Sequence, residues 1–484
     1  MSAMLKVGFV PSVRGRESIS PWSQQLREES LAALRSIPEW AVVTAESAPD
    51  GVTRDPVRGL TPLGVVGDLD DADCMVDYFL RERIDALVIC PLNFGDERSA
   101  CKIAERLRVP TLLYATKEPP AVQDASLARV SDSYCGNLSI ASGLYRRKLP
   151  FYFAGIFFPT EPALAAELDT FCRAALVVKS LQQARIGQIG VRPATFETVG
   201  YDEHALVAKF GQNIIYADLA DIVDASRQLP DDDPRVQAII ADTRASVAAV
   251  TVADDYLLKA AKLEATLLDF AHTHKLAALS AQCWPSVRRQ LRISLCAIFG
   301  RLTAQGLPTS CEVDILGALA MMAGYAAAKR QLPPHFVDWT IQHREDPDVL
   351  LAWHCGNAPT CLAADPAQTA LRSRFNMTGT GPIVAGDAEA GLYQFQLQPG
   401  PVTFCRLAEY DNEWKMLIAR GQIEPSDETL AGTWAWVRVR DHAGLYRTLV
   451  EEGFVHHASM SYGDQVAALK MACKFLDIRP VVWE

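Results

Sequence analysis

The sequence predicts an α/β protein with two parallel-sheet domains followed by a β-rich, barrel-like domain. The chain has 484 residues, about three times the usual domain length of ~150. Short apolar strands alternate with amphipathic helices in two separate stretches. Beyond Asn357 the composition shifts towards Thr, Gly and Pro. We therefore predict domains at 1–178, 179–356 and 357–484, the first two Rossmann-like or flavodoxin-like.

The first domain is predicted from strands and helices that follow one another in turn. This alternation is typical of a parallel sheet covered by helices on both faces. The segment Pro91–Asp96 follows one of the strands, where ligands usually bind in open α/β sheets. The predicted strands are Lys6–Pro11, Trp40–Ala45, Gly64–Gly67, Ile84–Cys90 and Thr111–Tyr114, and the predicted helices are Pro21–Ser36, Asp70–Glu82, Arg98–Leu107 and Glu161–Gln183.

The alternation begins again after the first domain, and short β-type runs follow it. These runs predict a mainly antiparallel third domain. In the second domain we predict strands at Arg185–Val191 and Asn213–Tyr216, a helix at Asp202–Phe210 and a long helix at Val236–Lys275; in the third we predict strands at Gly391–Leu397, Pro401–Ala408 and Trp434–Val439.

Composition and charge exclude several classes of protein. Apolar residues make up 49% of the chain and charged residues 22%, which is ordinary for a globular protein with a buried core. The net charge of -11 would repel a phosphate backbone or an anionic lipid surface, so we expect neither nucleic-acid nor membrane binding. No apolar run approaches the ~18 residues of a spanning helix, and the first residues resemble a strand rather than a leader, which predicts a cytoplasmic protein.

The common nucleotide-binding and hydrolase motifs are absent from the sequence. It contains no G-x-x-x-x-G-K-[ST], G-x-S-x-G or H-E-x-x-H. Gly187 and Gly190 follow a predicted strand but lack the third glycine of a dinucleotide fingerprint, so a tight strand-to-helix turn is the better interpretation, and we expect no nucleotide cofactor. The twelve Cys are scattered without a C-x-x-C pair, and we expect most of them to be small core residues.

Candidate functional residues lie in separate parts of the sequence. Glu312 begins an apolar, helix-like run and is either a helix-start residue or a buried ligand. Asp338 follows a strand-like Phe-Val and is either a strand-end turn residue or a ligand. His354 is either a core histidine or a ligand, and His456 and His457 are either a solvated strand end or ligands. Together, two carboxylates and one or two imidazoles match a divalent ion such as Mn²⁺ or Mg²⁺, whereas structural zinc would favour thiolates.

The segments around these residues resemble the L-fucose isomerase and L-arabinose isomerase superfamily of sugar isomerases. The similarity extends over nearly the whole chain, including the order of two α/β domains and a β-rich domain. It implies that Glu312, Asp338 and His457 hold one divalent metal, Mn²⁺ or another ion such as Mg²⁺ or Co²⁺. The segments are Glu312-Val-Asp-Ile-Leu-Gly, Phe336-Val-Asp338, Trp353-His-Cys-Gly-Asn-Ala-Pro359 and His456-His457-Ala.

The resemblance also implies residues that contact the substrate. His354, beside Trp353, is either a metal ligand or a substrate contact, because only the arabinose branch has a histidine there. Gln282 resembles a substrate-contacting Gln, a buried structural Gln being the alternative. Arg16 resembles part of an arginine-rich loop that reaches a neighbouring subunit's site in the fucose branch, a surface loop being the alternative. We therefore expect a homo-oligomer, either a hexamer or a trimer.

The implied reaction is aldose–ketose interconversion through an enediol, in which Glu312 and Asp338 both bind the metal and transfer protons. The expected substrate is a pentose, a deoxyhexose or a hexose modified at C6, and L-fucose, D-arabinose, L-arabinose, D-galactose and sulfoquinovose are all compatible. Two other classes stay open. One is a non-catalytic sugar-binding protein, because bilobal binding proteins also have two α/β units. The other is a nicotinamide-dependent sugar oxidoreductase, which the incomplete glycine motif disfavours.

Overall fold

The computed structural model describes residues 4–15, 19–47, 53–118, 130–373 and 390–484. The chain forms two compact units, Met1–Lys179 and Ser180–Glu484, and each is described by itself. In the described residues, no helix is both long enough and apolar enough to cross a membrane.

Strands and helices alternate through the first unit, as predicted. The strands are β1 (Leu5–Ser12), β2 (Trp40–Val43), β3 (Ala86–Pro91), β4 (Thr111–Thr116) and β5 (Tyr152–Phe157), and the helices are α1 (Pro21–Arg35), α2 (Leu69–Glu82), α3 (Glu97–Leu107), α4 (Ser133–Arg146) and α5 (Pro162–Leu181).

The first unit is built on a parallel sheet with the strand order β2-β1-β3-β4-β5 among the described residues. Every residue of β3 and β4 is buried, which explains why these strands are almost uninterrupted apolar runs. The strand predicted at Gly64–Gly67 is wrong. A short 3₁₀ turn lies at Pro62–Gly64, with positive φ at Leu63 and Gly64, and one isolated bridge joins Val66 to Ser12.

The second unit begins with a further alternation of strands and helices and ends in a β-rich region. The strands of the alternating part are β6 (Arg185–Ile189), β7 (Asn213–Ala217), β8 (Ala249–Val250), β9 (Ala278–Ala281) and β10 (Thr309–Cys311), and its helices are α6 (Glu203–Phe210), α7 (Leu219–Gln228), α8 (Pro234–Ala245), α9 (Asp254–His274), α10 (Ser286–Leu291), α11 (Cys296–Ala304) and α12 (Ile315–Ala327). The β-rich part contains β11 (His335–Gln342), β12 (Val349–His354), β13 (Ala370–Ser373), β14 (Ala390–Gln396), β15 (Gly400–Tyr410), β16 (Glu413–Ile423), β17 (Thr433–Arg438), α13 (His442–Glu451), β18 (His457–Tyr462), α14 (Val466–Leu476) and β19 (Arg479–Trp483).

The alternating part forms a parallel sheet with the order β10-β9-β6-β7 in the described chain. The single long helix predicted at Val236–Lys275 is wrong, because α8 ends before β8 and α9 starts after it. The β-branched run Val250-Thr-Val252 separates the two helices, and β8 pairs with β13 instead. Such residues favour extended backbone over helix.

The β-rich part is a mixed sheet that closes on itself. In the described residues, β16, β15, β18, β11, β12 and β17 are neighbours in that order. The pairing of β17 with β16, at Val437 with Ile423, completes the ring. This is the barrel-like arrangement that the sequence predicts. The ring and the four-stranded sheet share one apolar core, to which Leu279, Phe336 and Phe404 all belong.

Candidate active site

A turn in left-handed backbone conformation directs Glu312 into the core of the second unit. Glu312 lies between β10 and α12, with φ of 58°, and Val313 follows with φ of 61°. Positive φ is costly for a β-branched residue such as Val, and strain of this kind is concentrated at functional sites. Asp314 caps α12 by accepting a hydrogen bond from the Gly317 N–H. The interpretation of Glu312 as a helix-start residue is therefore wrong, because Asp314 takes that position.

Strand register brings Asp338 beside His457. Asp338 lies within β11, where it is paired with His457 of β18 on one side and with Trp353 of β12 on the other. Directly paired residues on antiparallel strands have neighbouring side chains. The strand-end turn considered for Asp338 is therefore wrong, because β11 continues to Gln342.

Glu312 and Asp338 each place one carboxylate oxygen near the same nitrogen of His457. His457 Nε2 lies 3.7 Å from Glu312 Oε2 and 3.6 Å from Asp338 Oδ1. Both oxygens are buried and have no hydrogen-bond partner in the described part of the chain. Burying a carboxylate oxygen without a partner is costly, so these two atoms indicate a ligand position.

The other oxygen of Glu312 has partners that hold the carboxylate in place. Oε1 accepts hydrogen bonds from the Cys283 thiol at 3.4 Å and from Trp284 Nε1 at 3.3 Å. Glu312 is only 7% exposed, and this burial raises the pKa of its carboxyl group, an effect that His354 and His457 oppose.

Asp314 and Arg406 orient the imidazole of His457. His457 Nδ1 and Asp314 Oδ2 are 2.8 Å apart, and Arg406 also donates to Asp314. Burial alone would raise the pKa of Asp314, but Arg406 holds it well below its usual range. A carboxylate that accepts a hydrogen bond from Nδ1–H leaves the Nε2 lone pair free to bind a ligand. Nε2 is the nitrogen that faces Glu312 and Asp338.

Aromatic rings and a second imidazole line the same place. The ring centroids of Phe336 and His457 are 4.7 Å apart. The Phe196 ring centroid lies 5.7 Å from the centroid of His456 and 5.4 Å from the centroid of Trp284. His456, the more exposed of the two histidines, has a ligand atom within 4.8 Å of those of Asp338 and His457. These rings can exclude water from one side of the carboxylates.

The remaining predicted site residues lie at different distances from this centre. His354 ends β12 and is 3% exposed. Its Nδ1 accepts a hydrogen bond from the Cys355 N–H. Its interaction with Glu312 is electrostatic, and no hydrogen bond or ion pair joins it to Glu312 or Asp338 in the described part of the chain. Trp353 is half-buried and donates to the Ala431 carbonyl. Gln282 is buried just beyond β9, one residue before Cys283. Arg16 lies outside the described residues, so the shared-subunit site stays a prediction.

Sequence reasoning missed the residues that support this centre. Neither Asp314 nor Arg406 was among the predicted site residues. Arg406 is 92 positions away from Asp314 in the sequence. The available signal was an acid at the start of an apolar helix, which the N-cap preference would assign to Asp314 rather than Glu312.

Two family models match this chain. The model of the fucose/sulfoquinovose isomerase N-terminal domain matches residues 54–182, and that of the L-fucose isomerase C-terminal domain matches residues 352–484. The second match includes His354, the last residue of β12, and His457, the first residue of β18.

Curated relatives with similar sequences span most of the chain. A sulfoquinovose isomerase of Alkalicoccus urumqiensis is 24% identical over 426 residues, covering 87% of this chain and 91% of the relative. A sulfoquinovose isomerase of Priestia megaterium is 24% identical over 427 residues, covering 88% and 91%. One of Clostridium sp. is 25% identical over 408 residues, covering 82% and 86%.

A solved structure also matches part of the chain. It is a periplasmic solute binding protein of Actinobacillus succinogenes 130z with bound D-allose, at 11% identity, covering 62% of this chain and 82% of that one, with a TM-score of 0.17. A score this low supports no inference about fold or ligand.

Proposed function

We propose that this chain, which belongs to the L-fucose isomerase family and is an aldose–ketose isomerase, works with one divalent metal held by Glu312, Asp338 and His457. One observation carries the proposal: two buried carboxylate oxygens without hydrogen-bond partners face a single imidazole nitrogen. The non-catalytic sugar-binding alternative is not favoured, because the curated relatives are named as isomerases.

The donor set fits a hard to borderline divalent ion, and Mn²⁺ is our first choice. Two carboxylates and one neutral imidazole are ligands that Mn²⁺, Mg²⁺ and Co²⁺ accept. His457 has its Nδ1 hydrogen-bonded to Asp314, as is usual for a metal-binding histidine. A bound divalent ion would neutralise the negative charge that develops on the sugar oxygens during the reaction.

The chemistry left to the chain is proton transfer. In an aldose–ketose interconversion through an enediol, one proton leaves C2 and returns at C1, while another moves between the two oxygens. Glu312 and Asp338 are the two carboxylates available for these transfers. The partners of Glu312 Oε1, Cys283 and Trp284, fix the direction of that carboxylate, so its free oxygen keeps facing the reaction centre.

The substrate we propose first is sulfoquinovose, a hexose that carries a sulfonate at C6. The support is that the relatives aligned over most of this chain are named sulfoquinovose isomerases. A reaction at C1 and C2 makes no demand on C6, so the other pentoses, deoxyhexoses and C6-modified hexoses belong in the same test.

A panel of aldoses tests this function directly. The purified protein, loaded with Mn²⁺, would be incubated with sulfoquinovose, L-fucose, D-arabinose, L-arabinose and D-galactose, and ketose formation would be followed. We expect ketose from at least one sugar, with sulfoquinovose the fastest. Absence of ketose from every sugar in the Mn²⁺-loaded protein would refute the proposed substrate class.

Turnover in D₂O tests the proton-transfer route. A side-chain carboxylate that carries the C2 proton can exchange it with solvent, so the ketose should contain deuterium at C1. A substrate deuterated at C2 should correspondingly lose its label to water. Complete transfer of the label from C2 to C1 over many turnovers would instead indicate a hydride shift, and would reduce Glu312 and Asp338 to metal ligands alone.

A further inference from the structure

Cysteine side chains adjoin Glu312, and one of them contacts the carboxylate oxygen that does not face His457. Cys283 and Cys311 are both buried, and the Cys283 Sγ lies 3.4 Å from Glu312 Oε1. The sulfur atoms of Cys283 and Cys311 and a carboxylate oxygen of Glu312 all lie within 4.8 Å of one another. The two oxygens of one carboxylate therefore face two different sets of metal-binding atoms.

More thiols adjoin this pair. The buried Cys296 thiol lies close enough to those of Cys311 and Cys355 to interact electrostatically with both. These four cysteines come from separate segments: just beyond β9, the start of α11, the end of β10, and just beyond β12. Because no two of them are close in the sequence, the absence of a C-x-x-C motif concealed the cluster.

The spacing of these atoms suits a thiophilic ion. Around a tetrahedral Zn²⁺ with Zn–S of ~2.3 Å and Zn–O of ~2.0 Å, a sulfur and an oxygen stand about 3.5 Å apart and two sulfurs about 3.8 Å apart. The observed separation of Cys283 Sγ and Glu312 Oε1 is 3.4 Å. Thiolates select soft and borderline ions, whereas the carboxylate and imidazole set of Asp338 and His457 also accepts hard ones.

We propose that Cys283, Cys311 and Oε1 of Glu312 form a second cation site, which takes a thiophilic divalent ion such as Zn²⁺ or Cd²⁺. On binding, each coordinating thiol releases its proton to solvent and forms one metal–sulfur bond, and no electron is transferred. Because Glu312 serves both sites, an ion held by the thiols competes for the carboxylate that the Mn²⁺ site requires.

Cadmium binding tests the site without any activity measurement. The starting protein would have the exposed Cys135 and Cys361 replaced by serine, so that surface thiols do not contribute. Cd²⁺ would be titrated into the full chain, and the ultraviolet charge-transfer band of thiolate-bound Cd²⁺ recorded. We expect one ion per chain, with affinity reduced at least ~10-fold in Cys283→Ser and in Cys311→Ser.

A matched control is available among the other buried cysteines. Cys473→Ser removes a thiol that contacts Met416, so it should leave the Cd²⁺ band unchanged. Circular dichroism would verify that each variant is folded. No thiolate band in the starting protein, or the same band in Cys283→Ser and Cys311→Ser as in the control, would overturn the proposal.

A second measurement tests the sharing of Glu312, and this part rests on the proposed function. Zn²⁺ should inhibit the Mn²⁺-loaded isomerase, and Cys311→Ser should need at least ~10-fold more Zn²⁺ for the same inhibition. A normal Cd²⁺ band without inhibition would overturn the shared carboxylate while the thiol site stands. A normal band in a protein with no isomerase activity would instead count against the proposed function alone.

Discussion

The carboxyl ends of the two parallel sheets use polar side chains in opposite ways. In the first unit, hydrogen bonds within the protein occupy the polar side chains of the segment after β3, and we call this the closed edge. Asn93 Oδ1 accepts from the N–H groups of Arg14 and Gly95, and the Asp96 carboxylate accepts from two N–H groups at the start of α3. These polar groups therefore stabilise the turn and the helix.

In the second unit, Glu312 and Asp338 each have a buried carboxylate oxygen without a hydrogen-bond partner among the described residues. We call these two side chains the open carboxylates. Glu312 Oε2 has no hydrogen-bond partner among the described residues, although its neighbour Asp314 is fully engaged by Gly317, Arg406 and His457. Both edges satisfied the sequence rule for a ligand position. What separates them is whether buried acceptors are already occupied, and a single sequence does not contain that information.

Removing the open carboxylates should have the largest effect. Glu312→Gln and Asp338→Asn keep the side-chain volume but cannot accept the proton, so we expect turnover to fall by ~10²- to 10⁴-fold in each variant. Ketose formation under saturating Mn²⁺ measures this. Asp96→Asn, at the closed edge of the first unit, is the matched control and should keep near-normal turnover. Near-normal kcat in Glu312→Gln or Asp338→Asn would identify that acid as structural.

Releasing the imidazole of His457 should have the next largest effect. Asp314→Asn keeps the shape of the side chain but weakens the hydrogen bond with His457 Nδ1. We therefore expect ~10- to 100-fold weaker Mn²⁺ binding. The substitution also leaves Arg406 buried beside a neutral group, so the free energy of unfolding should fall as well. Mn²⁺ titration of the folded protein, verified by circular dichroism, separates the two effects. Unchanged Mn²⁺ affinity would show that Asp314 is only a helix cap.

The smallest effect is expected at the closed edge. Asp96→Ala removes the N-cap of α3 and should lower the free energy of unfolding by ~1 kcal/mol, with turnover unchanged. Chemical denaturation and a standard ketose assay measure the two quantities. A large loss of turnover with little loss of stability would show that this edge also belongs to a reaction site, and the contrast between the two units would disappear.

Strong periodicity made most of the fold predictable. Buried apolar runs such as β3 and β4 and amphipathic helices such as α2 and α3 were placed within a few residues of their observed limits. The long helix at Val236–Lys275 failed because long-range pairing of β8 with β13 outweighs local helical periodicity. The strand at Gly64–Gly67 failed because its apolar composition did not reveal that Gly64 ends a 3₁₀ turn with positive φ.

The residues of the candidate site were predicted from a family resemblance, and their arrangement in space was not predictable. Glu312, Asp338 and His457 were named because their segments resemble a family, and nothing in their spacing required them to meet. The pairing of Asp338 with His457 depends on strand register, and the support from Arg406 depends on a contact across 92 positions. Both are products of tertiary packing, which local sequence patterns do not encode.

Mn²⁺ binding is the most direct test of the claim that the open carboxylates form a metal site. Free Mn²⁺ can be followed by electron paramagnetic resonance while the ion is titrated into the unmodified protein, Asp338→Asn and the matched control Asp96→Asn. The account predicts one tightly bound ion per chain in the unmodified protein and in Asp96→Asn, and loss of that ion in Asp338→Asn. Equal binding in all three proteins, or no binding in any of them, would contradict it.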